Sequence, residues 1–520
     1  MAYTRRFDFS KVKSGESWAS LVADEILTAH PNLELYTTAA GISPSGVVHF
    51  GNFRDVVTAH LVREALKQRG KDAHLIFSWD NFDRFRKVPA GVPESYVEHI
   101  GKPLSKIPDP CGKHSSYAEH FQLPFVEAMQ KLGIEIEYRN QTALHESGVY
   151  DDAIIEALQQ RLRIADIQLS FMTDKAKGEK GINPETYREH YYPISVYSRF
   201  SGKDTTRVLE YDGDSTITYL CVETGKTDTV DLKKEHIVKL AWKVDWPMRW
   251  RHEQVHFEPG GHDHASPGGS YDVASTIVKE IFGYDAPFFA EYKFVGIQGM
   301  GAKMSGSKGN AISPLELLDI YEPELLRWLY FRKSPDQSFE LAFNSEIYRQ
   351  YDEYDAEHPQ LKAIPFRQAV GFGQVVQWQT DKLQTILGAL GTEYSAESIA
   401  RRLPLARNWL TKYNPEEMVT LRDSVHSAYL SSMSDTQKEH VQKLRDALEN
   451  NAEITISDLE TLVYSIPKSP ELTEDELKKA QRAFFKDVYN LLIGKDTGPR
   501  LGTFLWAVDK AQVITLLTLK

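Results

Sequence analysis

The sequence predicts an α/β protein: a doubly wound parallel sheet interrupted by an α+β insertion, followed by an α-helical C-terminal domain. Three observations predict it. A strand–loop–helix–strand pattern fills residues 33–79, the mark of a βαβ unit with a right-handed crossover. Strand-like patterning lapses over residues 88–235 and returns at Gln254. From Pro314 onward apolar residues recur almost only at helical spacing.

Leu33 to Thr38, with its aromatic and β-branched content, predicts the first strand. Gly41, Pro44 and Gly46 make the following loop. A helix is expected from near Asn52, where Phe53, Val56, Val57, His60, Leu61, Ala65 and Leu66 share a face, and Gly70 ends it. Ala73 to Trp79 predicts a buried strand. The stretch 101–235 is expected to be the insertion. It carries helical spacing from Ala153 to Ile167 and a hairpin from Thr206 to Val230, whose turn signals are Asp212-Gly213-Asp214 and Thr224-Gly225-Lys226. Gln254 to Glu258 predicts a strand, Tyr271 to Phe282 a helix closed by Gly283, and Tyr292 to Ile297 another strand. Residues 1–100 and 236–300 are then the two halves of the sheet domain, 301–345 a connecting segment and 346–520 the helical domain. Helices are expected near 380–391, 396–413, 437–449 and 474–493.

Composition narrows the class. A 520-residue chain with 41% hydrophobic residues can bury large cores. It has no run of about 18 apolar residues and no apolar segment near Met1, so the expectation is a soluble cytoplasmic protein, not a membrane one. Two cysteines, Cys111 and Cys221, do not make a disulfide framework. A formal net charge of −12 argues mildly against a surface that grips nucleic acid everywhere, yet 61 Lys and Arg leave room for a local basic face.

Two short stretches carry the chemistry. Ser43-Pro44-Ser45-Gly46-Val47-Val48-His49-Phe50-Gly51-Asn52 lies between a strand and a helix start, where unpaired N–H groups and the helix dipole suit phosphate. Lys303-Met304-Ser305-Gly306-Ser307-Lys308 sits among glycines, on a loop able to close, with a compact cation for a triphosphate. Pro44, Ser45, Gly46, His49, Gly51, Asn52 and Lys303 are the candidate ATP residues. His49, Asn52, Lys303, Ser305 and Ser307 are the candidate catalytic groups. Gly260-Gly261-His262-Asp263-His264 suits a small-molecule site better than a tetrahedral metal, because its histidines are spaced i, i+2.

The first stretch resembles the HIGH signature of class I aminoacyl-tRNA synthetases, with Phe50 for Ile and Asn52 for the last His. The second resembles their KMSKS signature, with Gly306 as a departure. Ser78-Trp79-Asp80-Asn81-Phe82-Asp83-Arg84, Val244-Asp245-Trp246-Pro247-Met248-Arg249-Trp250, Gly268-Gly269-Ser270-Tyr271-Asp272 and Gly498-Pro499-Arg500-Leu501-Gly502 narrow the resemblance to the class I lysyl-tRNA synthetases. It implies a Rossmann-like catalytic domain and a C-terminal anticodon reader. It also implies activation of L-lysine by ATP, with Mg2+, followed by transfer to the 3′ end of tRNA(Lys). Gly41, Ser43, Asp80, Trp242, His264 and Tyr292 are the implied lysine residues, and Gly269 and Asp272 approach the nucleotide. Some relatives hold zinc through Asp-X3-Cys-His-X5-His. Lys113 stands at that cysteine here, so zinc stays open, with Asp109, Cys111, His114 and His120 as candidates. Only Cys221 is left of a four-cysteine knuckle found in other relatives. Arg401, Arg402, Arg407, Trp409 and Tyr413 share one helical stretch and are either RNA-facing or core. Two rivals remain. A glutamate enzyme of the same class would need an arginine facing the ligand, and a non-catalytic relative would have lost part of the two signatures.

Overall fold

In the computed structural model, which describes residues 3–179, 181–298, 311–451 and 453–519, the strand Tyr36–Ile42 lies inside a six-stranded parallel sheet. The sheet runs Arg5–Arg6, Phe288–Phe289, Val255–Phe257, Tyr36–Ile42, Ala73–Trp79, Glu137–Asn140. From Tyr36–Ile42 the chain builds outward to one edge. It then returns at Val255–Phe257 and builds the other way. The order therefore reverses between Tyr36–Ile42 and Val255–Phe257, and in such sheets the crevice beyond the strands' C-terminal ends at that reversal is where ligands bind. The doubly wound expectation holds.

Local structure follows sequence with instructive shifts. The first long strand starts at Tyr36, three residues later than the expected start at Leu33. Leu33 and Leu35 are exposed, whereas Ala39 and Ala40 are buried in the strand. Small residues are needed there: a Cβ on Gly41 would lie 2.9 Å from the Ser78 carbonyl oxygen of the neighbouring strand. The helix Phe50–Gln68 and its left-handed Gly70 match expectation. The 101–235 stretch also supplies the sheet's edge strand, Glu137–Asn140. Its hairpin is a three-stranded antiparallel sheet, Thr206–Tyr211, Thr216–Cys221 and Thr227–Asp231, turning at Gly213 and Gly225 with positive φ. The expected strand from Tyr292 to Ile297 divides: Glu291–Tyr292 pairs with Gly260–Gly261, and Val295–Ile297 with Phe339–Leu341.

The chain forms two compact units, Met1–Leu318 with Leu326–Leu341, and Asp319–Leu325 with Ala342–Lys520. The first carries the sheet and a core that includes Trp246, Trp250, Tyr271 and Phe289. The described elements wholly inside the second are helical, among them Thr380–Ala389, Ala396–Tyr413, Asp435–Asn450 and Glu474–Ile493. Two residues of its Arg/Trp stretch are core. Arg402 is fully buried between Glu322 and Asp355, and the Trp409 indole N–H donates to the Phe343 carbonyl. No described helix is long and apolar enough to cross a membrane.

Candidate active site

The helix Phe50–Gln68 starts on a reciprocal cap. His49 Nδ1 accepts the Gly51 N–H at 3.1 Å, and Asn52 Oδ1 accepts the His49 N–H at 3.2 Å. An accepting Nδ1 leaves the ring proton on Nε2, so the imidazole is a neutral donor, and burial lowers its pKa further. Gly51 is obligatory for this arrangement, since a Cβ there would lie 2.8 Å from the His49 ring. The loop ahead of the helix is braced by Tyr117, whose hydroxyl donates to the Ser45 carbonyl at 2.9 Å.

Lys303, Ser305 and Ser307 lie outside the described residues. The chain immediately C-terminal to them is tied to the same helix start: the Phe50 N–H donates to the Ile312 carbonyl at 2.9 Å. Arg54, buried, donates to the carbonyls of Tyr330, Lys333 and Ser334 and lies over the Phe339 ring. The described chain that follows Ser307, from Ile312 to Phe339, is thereby tied to the histidine-bearing helix.

Two connected hollows open at the reversal of strand order. An inner cavity of about 90 Å³ and an outer cleft of about 410 Å³ share Gly41, Asp55, Asp80, Trp242, His264 and Tyr292 in their walls. Ser43 and Asn52 line the outer cleft. The helix Trp242–His252 presents an aromatic stripe at i, i+4, i+8: Trp242 stacks on Trp246 at 5.1 Å, and Trp246 meets Trp250 at 4.7 Å. His264 closes on Trp246 at 5.6 Å, and burial lowers its pKa. Gly269 and Asp272 line neither hollow. The Asp272 carboxylate is taken by Arg6 and by the Gly268 N–H.

Charge is distributed unevenly along these walls. Asp80 accepts from Arg249 at 2.6 Å, Arg249 also faces Asp245 at 3.0 Å, and Lys239 pairs with Asp83 and lies 3.7 Å from Asp245. Burial opposes ionisation of Asp245, but Arg249 and Lys239 outweigh it and hold its pKa low. Asp80 thus has a resident cation. Asp55 and Glu258 do not: among the described residues neither has an ion-pair partner. Asp55 accepts the Gly41 N–H and the Tyr292 hydroxyl, while Glu258 accepts the Trp250 indole N–H at 2.6 Å. Burial pushes both carboxyls up, Glu258 to about 7 and Asp55 well above its usual range, with the Glu258 charge adding to the effect on Asp55. Sequence reasoning missed both. Among the described residues the inner cavity therefore holds two carboxyls outside any ion pair, while Arg84 and Arg86 stand exposed on the wall of the outer cleft with Asp83 and Asp204.

A family model described as tRNA synthetases class I (K) matches residues 16–369. A lysine–tRNA ligase of Streptomyces coelicolor is 38% identical, covering 96% of this chain and 98% of its own length. One of Pyrococcus horikoshii is 34% identical, covering 97% and 99%. Among solved structures, a glutamate-tRNA synthetase from Elizabethkingia anophelis superposes with a TM-score of 0.46 at 12% identity, covering 93% of this chain and 99% of that one.

Proposed function

The chain belongs to the class I tRNA synthetases (K), and from that membership we infer that it is a lysine–tRNA ligase whose amino acid enters the acid-lined cavity side chain first. The observation that carries the choice of lysine is the pair Asp55, buried, and Glu258, half-buried, neither of them in an ion pair among the described residues, with Arg249 acting on Glu258 only from a distance. A glutamate side chain would need a free cation there, and Arg249 is already engaged by Asp80 and Asp245.

ATP enters as its Mg2+ complex, with its phosphates at the start of the Phe50–Gln68 helix. The lysine carboxylate attacks the α-phosphorus in line, a carboxyl–phosphate bond forms, and pyrophosphate leaves with the electron pair. The protein supplies position and charge: His49 through Nε2–H, Asn52 through its amide, Lys303 through its ammonium, Ser305 and Ser307 as donors. In the second step a ribose hydroxyl of the tRNA attacks the lysyl carbonyl carbon. AMP leaves as the ester bond forms, and the hydroxyl proton passes to solvent.

Pyrophosphate exchange into ATP tests this reading. Wild type exchanges when given lysine and tRNA; exchange with a different amino acid but not with lysine would refute it. Lys303→Ala should lower kcat about a hundredfold, ~2.7 kcal/mol of transition-state stabilisation, and move the KM for lysine far less. An equal loss in both would remove the transition-state role.

The same carboxyls predict a pH dependence. Their folded pKa values are raised, so the stability they contribute is complete below the unfolded values and is lost as pH rises through the folded ones. For Glu258 that window runs from 4.5 to about 7. The ligand-free protein should therefore lose thermal stability between about pH 5 and 8. Lysine, pairing the ionised carboxylates, should raise Tm more near pH 8 than near pH 6. Equal lysine shifts at both values would contradict the assignment.

We further infer a structural zinc in the insertion. Ligand atoms of Asp109, Cys111, His114 and His120 all lie within 4.8 Å of one another. Tetrahedral zinc with bonds of about 2.0–2.3 Å sets its ligands roughly 3.3–3.8 Å apart. His120 Nδ1, buried, approaches Asp109 Oδ1 at 2.9 Å without a hydrogen bond, as a ligand lacking its metal would. Cys111 thus stands in for the cysteine replaced by Lys113. Bound here, zinc would cross-link the loop that leads to Tyr117 and the Ser45 brace. Elemental analysis should find one zinc per chain, absent from Cys111→Ala; a metal-free wild type would refute the site.

A further inference from the structure

Arg84 and Arg86, which share the wall of the outer cleft with Asp83 and Asp204, have no part in holding lysine. One extended segment presents them. The Phe85 N–H donates to the Lys102 carbonyl, the Phe85 carbonyl accepts from the Gly101 N–H, and the Leu104 N–H donates to the Asp83 carbonyl. The Phe85 ring is buried with Leu104, Ile107 and Tyr117. Side chains alternate along extended backbone, so burying Phe85 turns Arg84 and Arg86 together to the opposite side. Both are exposed and both line the cleft. At the rise of an extended chain their Cα atoms lie about 6.7 Å apart. Arg84 has a 3.4 Å ion pair with Asp204, whose carboxyl also feels the Arg86 charge from beyond ion-pair distance.

We propose that Arg84 and Arg86 bind successive phosphates of the single-stranded 3′ end of the tRNA and so align its terminal ribose with the activated amino acid. The inference rests on the ligase reading and adds the route by which the second substrate arrives. A phosphate chain crossing this wall meets two exposed guanidinium groups. Guanidinium forks match phosphate oxygens in pairs, so two of them at this spacing fix the line of the strand as well as neutralise its charge. The phosphates of ATP share this chemistry, so the test must separate the two sources.

The test is equilibrium binding of the full chain to lysine-accepting tRNA, intact or trimmed of its unpaired 3′ nucleotides. Three proteins are compared: wild type, Arg84→Ala/Arg86→Ala, and Arg84→Lys/Arg86→Lys. Wild type should lose about tenfold in affinity on trimming, whereas the alanine pair binds both forms equally. Its log–log salt slope for intact tRNA should be shallower by about 1.4, the share of two single-strand phosphates, and the lysine pair should recover most of that slope. A tenfold trimming loss that persists in the alanine pair would overturn the proposal. So would a wild type indifferent to trimming, or an alanine pair that loses ATP affinity and keeps its trimming loss. Charging of the intact tRNA by wild type is a separate readout, and its failure would count against the ligase reading itself.

Discussion

Asp55→Asn should lower kcat/KM for lysine about a thousandfold, ~4 kcal/mol, nearly all of it in lysine affinity. The substitution keeps the shape of the side chain and its bonds to Gly41 N–H and the Tyr292 hydroxyl, and removes the charge that an ammonium needs. A buried cation without its anion bears a large desolvation cost, so the loss should exceed that from any neutral contact in the cavity. The folded protein should not suffer. Asp55 is a raised-pKa carboxyl in the ligand-free state, so the asparagine variant should unfold at the same urea concentration or a higher one near pH 8. Steady-state kinetics beside a urea curve checks both halves. A variant with unchanged lysine KM would move the ammonium subsite elsewhere.

Arg249→Met should cost about 3–5 kcal/mol of stability in the sheet-bearing unit. Arg249 bridges Asp80 and Asp245, and with it gone three carboxylates, Asp80, Asp83 and Asp245, face Lys239 alone. Methionine fills much of the volume, so the loss is of charge pairing and not of packing. Trp242, Trp246 and Trp250 lie on the same helix and report its unfolding by fluorescence. Adding Asp80→Asn to the variant should return part of the loss, because one uncompensated charge is removed. If the double variant is no more stable than the single one, the network is not what holds this wall in place.

These two residues show where the sequence was legible and where it was not. The βαβ unit, the return of the sheet near Gln254 and the helical C-terminal half follow from periodicity, which local composition records. The start of the Phe50–Gln68 helix was legible too, because Gly51 and Asn52 answer to local geometry. Leu33 and Leu35 misled, since apolar residues alternating about Glu34 extend the strand pattern of Tyr36 to Thr38 whether or not the fold covers them, and here it does not. Asp55 went unmarked for the opposite reason. A lone acid in a helix reads as a solvated face, yet Arg54 and Asp55 interrupt the stripe of Phe53, Val56 and Val57 on a stretch that is buried throughout. That interruption was the available signal. Asp80 was singled out, but its partner Arg249 lies 169 residues away, and no local pattern announces such a pairing. Asp272 likewise meets Arg6 across 266 residues.

Which amino acid the protein joins to tRNA decides the lysine assignment. It is read by charging unfractionated tRNA with the purified protein, ATP and each of the standard amino acids in turn. Alkali-labile, ATP-dependent incorporation of lysine alone is expected. Incorporation of glutamate or any other residue in preference to lysine, or of none, would contradict it.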